Sequence, residues 1–365
     1  MKITLSIIKA DIGSIGGHLQ PSDKLLNTIE EHLNSYGNDQ FIDFYLGYTG
    51  DDVFILLTHR KGINNRQIHQ LAWDTFMVGT ATAKKQRLYG AGQDLLSDSF
   101  SGNIKGLGPA VAEMEIEERE NEPFLVFTAD KTDPGAYNLP LYLSFCDPMH
   151  NPGLLLSPKI GDGFTFTVMD VSHTEQDRII QLNTPEDIYN LAALLRDNER
   201  FVVESIHSRK SQEQAAAAST TRLHHIAGKY VGKDDPVLLV RVQSHFPAVG
   251  EILSPYSIGH YVAGFMRGSH HGPLMPVKKN TTVSYFDGPP MVNALAFCVS
   301  EGKLTEPVDC FDQPFWDHIR DKVSRKSLDL REQGFSGPAM LPYSELEYGG
   351  ITHKMEELEK RFDFR

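Results

Sequence analysis

The feature that most restricts the fold is a run of four aliphatic residues, Val237, Leu238, Leu239 and Val240, directly after a short loop dense in charge. Consecutive apolar residues bounded by turn signals read as a buried strand. The loop, inside residues 226–240 (IAGKYVGKDDPVLLV), sets Tyr230, Lys233, Asp234 and Asp235 within six residues, bounded by Gly228, Gly232 and Pro236. A phenol, an amine and two carboxylates thus stand at the mouth of a sheet, where a rigid scaffold commonly presents chemistry. A solvated, merely charged turn is the plain alternative for this stretch taken alone.

The remaining pattern supplies more strands than helices. Ile3, Leu5 and Ile7 alternate with Thr4, Ser6 and Lys9, a strand signature. A helix is predicted from about residue 22, with Leu25, Leu26, Ile29 and Leu33 on one stripe and Ser22 or Asp23 as its cap. Strands at 41–48 and 53–58 flank Thr49-Gly50-Asp51-Asp52, a hairpin-like turn, and a long helix covers 65–88. Further strands are expected at 111–118, 123–129, 164–170, 200–207, 237–243, 281–286 and 292–299, and helices at 314–331 and 353–362. Thr184 reads as a helix cap with Pro185 at the first position. Residues 211–221, with a run of four alanines, read as a helix or a connector. Consecutive strands broken by a few long helices indicate an α+β fold of layered antiparallel or mixed sheets. No repeat or linker interrupts the chain, so residues 1–365 read as one domain.

Bulk properties exclude several classes of function. The formal charge is −13 and there is no Lys/Arg-rich tract, so the footprint of nucleic-acid binding is missing. No run approaches the roughly 18 apolar residues of a membrane span. Three cysteines, Cys146, Cys298 and Cys310, have no ligand spacing and read as packing residues in a reducing, cytoplasmic setting.

Acids that end strands or sit in glycine turns form the candidate site: Asp11, Asp51, Asp52, Asp130, Asp234 and Asp235, with His18 and Gln93 as further donors. Six carboxylates in one pocket would repel one another unless cations lay between them. An oxygen-rich donor set suits Mg²⁺, several ions per site, which binds through a few carboxylates plus substrate phosphates. Zinc is disfavoured, because there is no HExxH and the cysteines are scattered. The segment 89–108 carries five glycines and is too long for an idle connector. Within it Gly102 and Asn103 offer main-chain N–H groups for an anion. Lys131 and Arg267 are candidate phosphate donors. Lys233, beside two aspartates, should be held protonated. Cations on those aspartates would invert the local sign and free the amine to form a Schiff base. Tyr230 or Tyr348 could then move protons at the imine.

These residues lie in long blocks: IKADIGSIGGH, AGQDLLSDSFSGNIKGLGP, AEMEIEERE, ADKTDPGAYNLPLY, GKYVGKDDP, RGSHHGPLMP and FDGPP. In content and order they resemble the bifunctional fructose-1,6-bisphosphate aldolase/phosphatase family of archaea and some bacteria, from residue 1 to about 348. The resemblance implies a four-layer α-β-β-α sandwich, a homo-octamer and a Mg²⁺-dependent gluconeogenic enzyme. Dihydroxyacetone phosphate would form an imine with Lys233 and add to glyceraldehyde 3-phosphate, and the C1 phosphate of the resulting fructose 1,6-bisphosphate would then be hydrolysed to leave fructose 6-phosphate. The family's metal ligands fall on Asp11, His18, Asp51, Asp52, Gln93, Asp130, Asp234 and Asp235. Its substrate contacts fall on His18, Tyr89, Gly102, Asn103, Lys131, Gln243, Ser244 (through its main chain), Arg267, Asp287 and Tyr348, and acid–base roles on Tyr230 and Tyr348. The narrower reading is a Mg²⁺-dependent fructose-1,6-bisphosphatase without aldolase activity, in which Lys233 is a structural cation.

Overall fold

The computed structural model describes the chain apart from residues 37–38, 96–107, 174–175, 221–231, 263–271, 284–287 and 333–349. The first half runs β1 (Lys2–Ala10), α1 (Asp23–Tyr36), β2 (Asp43–Thr49), β3 (Asp52–His59), α2 (Arg66–Gln86), β4 (Ala110–Glu117), β5 (Glu122–Asp130), α3 (Asn138–Phe145), α4 (Gly153–Leu156) and β6 (Phe164–Asp170). Then come β7 (Arg178–Asn183), α5 (Ile188–Leu195), β8 (Phe201–Ser208), β9 (Gln214–Ala218), β10 (Val237–Arg241) and α6 (Val249–Leu253). The short strands β11 (Tyr261–Val262), β12 (Gly272–Pro273) and β13 (Met275–Pro276) precede β14 (Met291–Ser300), β15 (Lys303–Leu304) and β16 (Val308–Asp309). The chain closes with α7 (Pro314–Glu332), α8 (Gly350–Glu359) and β17 (Asp363–Phe364).

Two sheets result. A four-stranded antiparallel sheet has the order β2-β3-β1-β4. The larger sheet runs β13-β14-β5-β10-β9-β8-β6-β7-β17, with β15 and β16 on β14. The alternation of side chains along each strand decides what each face meets. Ile3, Leu5, Ile7, Phe54 and Met114 of the small sheet pack on Phe124, Val126, Leu239 and Phe297 of the large one. The opposite face of the small sheet, including Ile8, Ile55 and Leu57, is covered by Leu25, Ile29, Leu33, Ile68 and Phe76 of α1 and α2. Leu125, Phe127, Leu238 and Val240 turn the other way, towards Leu141, Phe145, Leu191, Leu194 and Leu358 of α3, α5 and α8. Three cores between four layers make an α-β-β-α sandwich, the α+β architecture expected. β5 and β10 are apolar at successive positions because both their faces are covered. Truncating a fully buried leucine such as Leu239 to alanine there would cost about 2–5 kcal/mol.

Several local expectations are corrected. The alanine run is not helical: Ala216, Ala217 and Ala218 belong to β9, paired on both sides by β8 and β10. Thr184 does not cap the next helix. Its hydroxyl accepts the Phe164 N–H at 2.9 Å, and α5 begins only at Ile188, after Asp187. Residues 281–283 form no strand, and 284–286 lie outside the described residues. Cys146 is buried as expected of a packing residue, whereas Cys298 is exposed; all three cysteines are free. Among the described residues no helix is long and apolar enough to cross a membrane.

Candidate active site

Four strand ends meet where the two sheets face each other. β1 runs out into Asp11, and its antiparallel partner β3 starts with Asp52, because Ala10 pairs with Val53. β5 runs out at Asp130, and its partner β10 starts just after Asp234-Asp235-Pro236, because Thr128 pairs with Val237. Antiparallel pairing thus places a strand exit beside a strand entrance in each sheet. The sheets touch here through Thr49 and Thr128, whose hydroxyls lie 2.6 Å apart. The β2–β3 hairpin turns through Gly50 and Asp51, with the positive φ (60°) at Gly50, the residue best suited to it.

The acids gather into two groups: Asp11, His18 and Asp51, and Asp52, Asp130 and Asp235. In each, ligand atoms from all three residues lie within 4.8 Å of one another. In the first group His18 Nδ1 is 2.7 Å from Asp51 Oδ2 and 3.7 Å from Asp11 Oδ2. Hydrogen bonding to those two carboxylates pushes His18 up to about 10. Burial and then the charge of Asp51 raise Asp11 above the ordinary carboxylate range. Burial opposes ionisation of Asp51 too, but Lys131 and His18 outweigh it and hold that carboxyl well below the ordinary range.

The second group carries the stronger signature of a cation site. Burial raises Asp130 well above its ordinary value, and the charges of Asp51, Asp52 and Asp235 add to the effect against Lys131. Neither oxygen of Asp130 receives a hydrogen bond, although Lys131 Nζ lies 3.2 Å from Oδ1. Burial and the charge of Asp234 raise Asp235, and burial raises Asp234 against the pull of Lys233. Asp235 Oδ1 accepts the Thr132 N–H at 2.7 Å. Lys131 and Asp235 both have left-handed backbones, φ 60° and 47°, the local strain that clusters at functional sites. A buried carboxylate without a hydrogen bond, Asp130, in an all-oxygen group fits hard divalent cations, which would favour the charged forms of its three acids.

Three lysines interleave with these acids. Lys131 Nζ is 2.6 Å from Asp51 Oδ1. Lys233, 5% exposed, places Nζ 2.8 Å from Asp234 Oδ1 and 3.6 Å from Asp94 Oδ2. Burial works to lower the pKa of this ammonium, but Asp234, Asp94, Asp52 and Asp235 together hold it above its ordinary value. Lys9, fully buried on β1, pairs with Asp52. Asp94 and Lys9 were not among the sequence candidates. Asp94 immediately follows Gln93 in the glycine loop, and Lys9 stands two residues before Asp11, but single residues at those places carry no distinctive pattern.

The other sequence candidates divide three ways. Gln93 belongs here: its Oε1 and Asp11 Oδ2 both border the open face of Gly90, whose missing Cβ would lie 3.1 and 3.9 Å from them. The exposed Tyr89 ring meets His18 edge-on, 5.0 Å between centroids. Gln243 and Ser244, by contrast, follow the far end of β10 from Asp235, across a five-residue strand that spans about 16 Å. In one copy of the chain they do not join the acidic groups. Tyr230, Gly102, Asn103, Arg267, Asp287 and Tyr348 lie outside the described residues. A cavity of about 710 Å³ between α3, the end of α5 and β11 holds none of the candidates.

A family model described as fructose-1,6-bisphosphatase matches residues 2–363. The chain belongs to that family. A fructose-1,6-bisphosphate aldolase/phosphatase of Thermus thermophilus is 55% identical over 362 residues, covering 99% of this chain and 100% of the relative. One from Cenarchaeum symbiosum is 50% identical, covering 99% of this chain and 95% of its own length. One from Methanothermobacter marburgensis is 45% identical over 365 residues, covering 100% of this chain and 99% of the relative. Membership of the fructose-1,6-bisphosphatase family agrees with an acidic pocket suited to divalent cations.

Proposed function

We propose that this chain joins dihydroxyacetone phosphate to glyceraldehyde 3-phosphate and then hydrolyses the C1 phosphate of the fructose 1,6-bisphosphate formed. The observation that carries the reading is the buried Lys233 amine standing beside two groups of carboxylates at one junction of strand ends. A phosphatase alone needs the carboxylates; a buried lysine among them adds an imine-forming group. In this reading residues 1–365 form one catalytic unit, working in the cytoplasm as a homo-octamer. Any contact of Gln243 and Ser244 with a sugar phosphate is then made at the site of another copy.

Mg²⁺ ions would be held by Asp11, His18, Asp51, Asp52, Gln93, Asp130, Asp234 and Asp235, and when bound would neutralise phosphate charge and polarise the P–O bond to be cut. The chain's own groups do the rest. The Lys233 ammonium and the ketone of dihydroxyacetone phosphate give an iminium and water, with no net change in protons. Tyr230 and Tyr348 carry protons at carbon and oxygen around that iminium. Lys131, within 2.6 Å of Asp51, is placed to exchange that partner for a phosphate oxygen, with Gly102, Asn103, Arg267, Asp287 and Tyr89 completing the sugar-phosphate contacts.

A second reading keeps the phosphatase and makes Lys233 a structural cation, favoured by its ion pairs with Asp94 and Asp234. Borohydride reduction in the presence of dihydroxyacetone phosphate separates the two. A stable adduct on Lys233, found by mass spectrometry, is expected; an unmodified Lys233 would leave the phosphatase alone. A coupled assay from the two triose phosphates to fructose 6-phosphate then tests the full sequence of reactions.

A further inference from the structure

We propose that Asp94 is a positioning residue for Lys233, needed more for carbon–carbon bond formation than for phosphate hydrolysis. The proposal rests on the reading of Lys233 as the imine-forming amine. Asp94 is 7% exposed, and one oxygen, Oδ2, serves two elements at once. It accepts the Asp11 N–H at 2.9 Å and lies 3.6 Å from Lys233 Nζ.

The rest of Asp94 is tied down independently of the lysine. Its own N–H donates to the Asp11 carbonyl at 3.0 Å, and Gly92 N–H donates to the Ile12 carbonyl at 3.0 Å. The 92–94 segment is therefore fastened to the exit of β1 by two backbone bonds, one from Gly92 and one from Asp94 itself. Asp234, which also pairs with Lys233, is its chain neighbour and shifts with it. Asp94 belongs to a different element, so its charge fixes where the amine sits relative to the metal-binding Asp11. A lysine side chain is a flexible four-carbon stem, and attack on a carbonyl demands a near-attack distance that small displacements forfeit.

Asp94→Asn separates the two functions of the carboxylate. The amide oxygen still accepts the Asp11 N–H, so the Asp11 segment keeps its place, but the charge facing Lys233 is gone. With the full-length chain in Mg²⁺, the rate of borohydride trapping of dihydroxyacetone phosphate at Lys233 should fall by about tenfold or more. Hydrolysis of fructose 1,6-bisphosphate should fall far less. Asp94→Glu should restore part of the trapping, and Asp94→Ala should lower both reactions because the Asp11 N–H loses its acceptor. Trapping at the wild-type rate in Asp94→Asn, an equal loss of both reactions in that variant, or no gain from Asp94→Glu would overturn the proposal. No adduct in the wild type is a different failure: it would remove the imine reading of Lys233 itself.

Discussion

The carboxylate of Asp130 occupies the space that a side chain at position 50 would need. A Cβ built on Gly50 would lie 1.5 Å from Asp130 Oδ2 and 3.0 Å from Val283 Cγ2. The hairpin of the small sheet therefore fits against the end of the large sheet only with glycine at its tip, where φ is 60°. Gly50→Ala would strain the left-handed backbone and push the carboxylate aside, costing about 2 kcal/mol or more. Denaturant unfolding should show that loss, and addition of Mg²⁺ should no longer raise the melting temperature. A variant as stable as the wild type and fully responsive to Mg²⁺ would mean that Asp130 is free to move.

Asp130 itself should show opposite effects with and without metal. In the absence of cations its carboxyl is buried, without a hydrogen bond, and repelled by Asp51, Asp52 and Asp235. Asp130→Asn should leave the metal-free protein equally stable or more stable by about 1 kcal/mol. Wild type should gain about 2.7 kcal/mol at a Mg²⁺ concentration a hundred times its Kd, and the variant much less. Calorimetric scans in chelator and in Mg²⁺ measure both signs; a variant destabilised in chelator would contradict the repulsion on which this expectation rests.

Lys233→Arg keeps a cation between Asp94 and Asp234 but cannot form an imine. Condensation of the triose phosphates should be lost entirely. Hydrolysis of fructose 1,6-bisphosphate should fall by no more than about tenfold, or about 1.4 kcal/mol of barrier. Equal loss of both activities, followed in parallel assays, would mean that the amine serves the hydrolytic step as well.

What could be read from the chain follows from range. β5 and β10 were legible because Leu125, Val126 and Phe127, and Val237 to Val240, are apolar at every position, as double-sided burial requires. The acids Asp11, Asp52, Asp130, Asp234 and Asp235 were legible because each stands where an apolar strand begins or ends. Ala215 to Ala218 misled because alanine favours helices in isolation, whereas pairing with β8 and β10 decides its state here. Lys9 and Asp94 were missed for a related reason. Their partners lie 43 and 83 residues away, Asp52 and Asp11, so their roles exist only once the sheets and loops are assembled.

The end of the chain is fastened by an ion cluster around a buried aspartate, and its pH dependence can be assigned a sign. Asp170, fully buried at the end of β6, lies 2.7 Å from Arg178 Nη1 and 2.8 Å from Arg200 Nη2. Both guanidiniums also pair with Glu359 of α8. Burial works to raise the Asp170 carboxyl, but its bonds to Arg200 and Ser172 prevail and hold it down at about 2. The folded value lies below the unfolded value of about 4. Its stabilisation is therefore complete above about pH 5 and fades as pH falls towards 2. Asp170→Asn should cost about 3 kcal/mol at neutral pH, since it leaves two arginines short of their buried partner. Between about pH 5 and pH 2 the gap between wild type and variant should narrow by up to about 2 kcal/mol, as the wild type loses the same charge. Urea unfolding at several pH values, on both proteins, measures this gap. A gap that stays constant down to pH 2 would show that the cluster stabilises through packing of Arg178 on Phe362, 4.3 Å from the ring centre, rather than through the Asp170 charge.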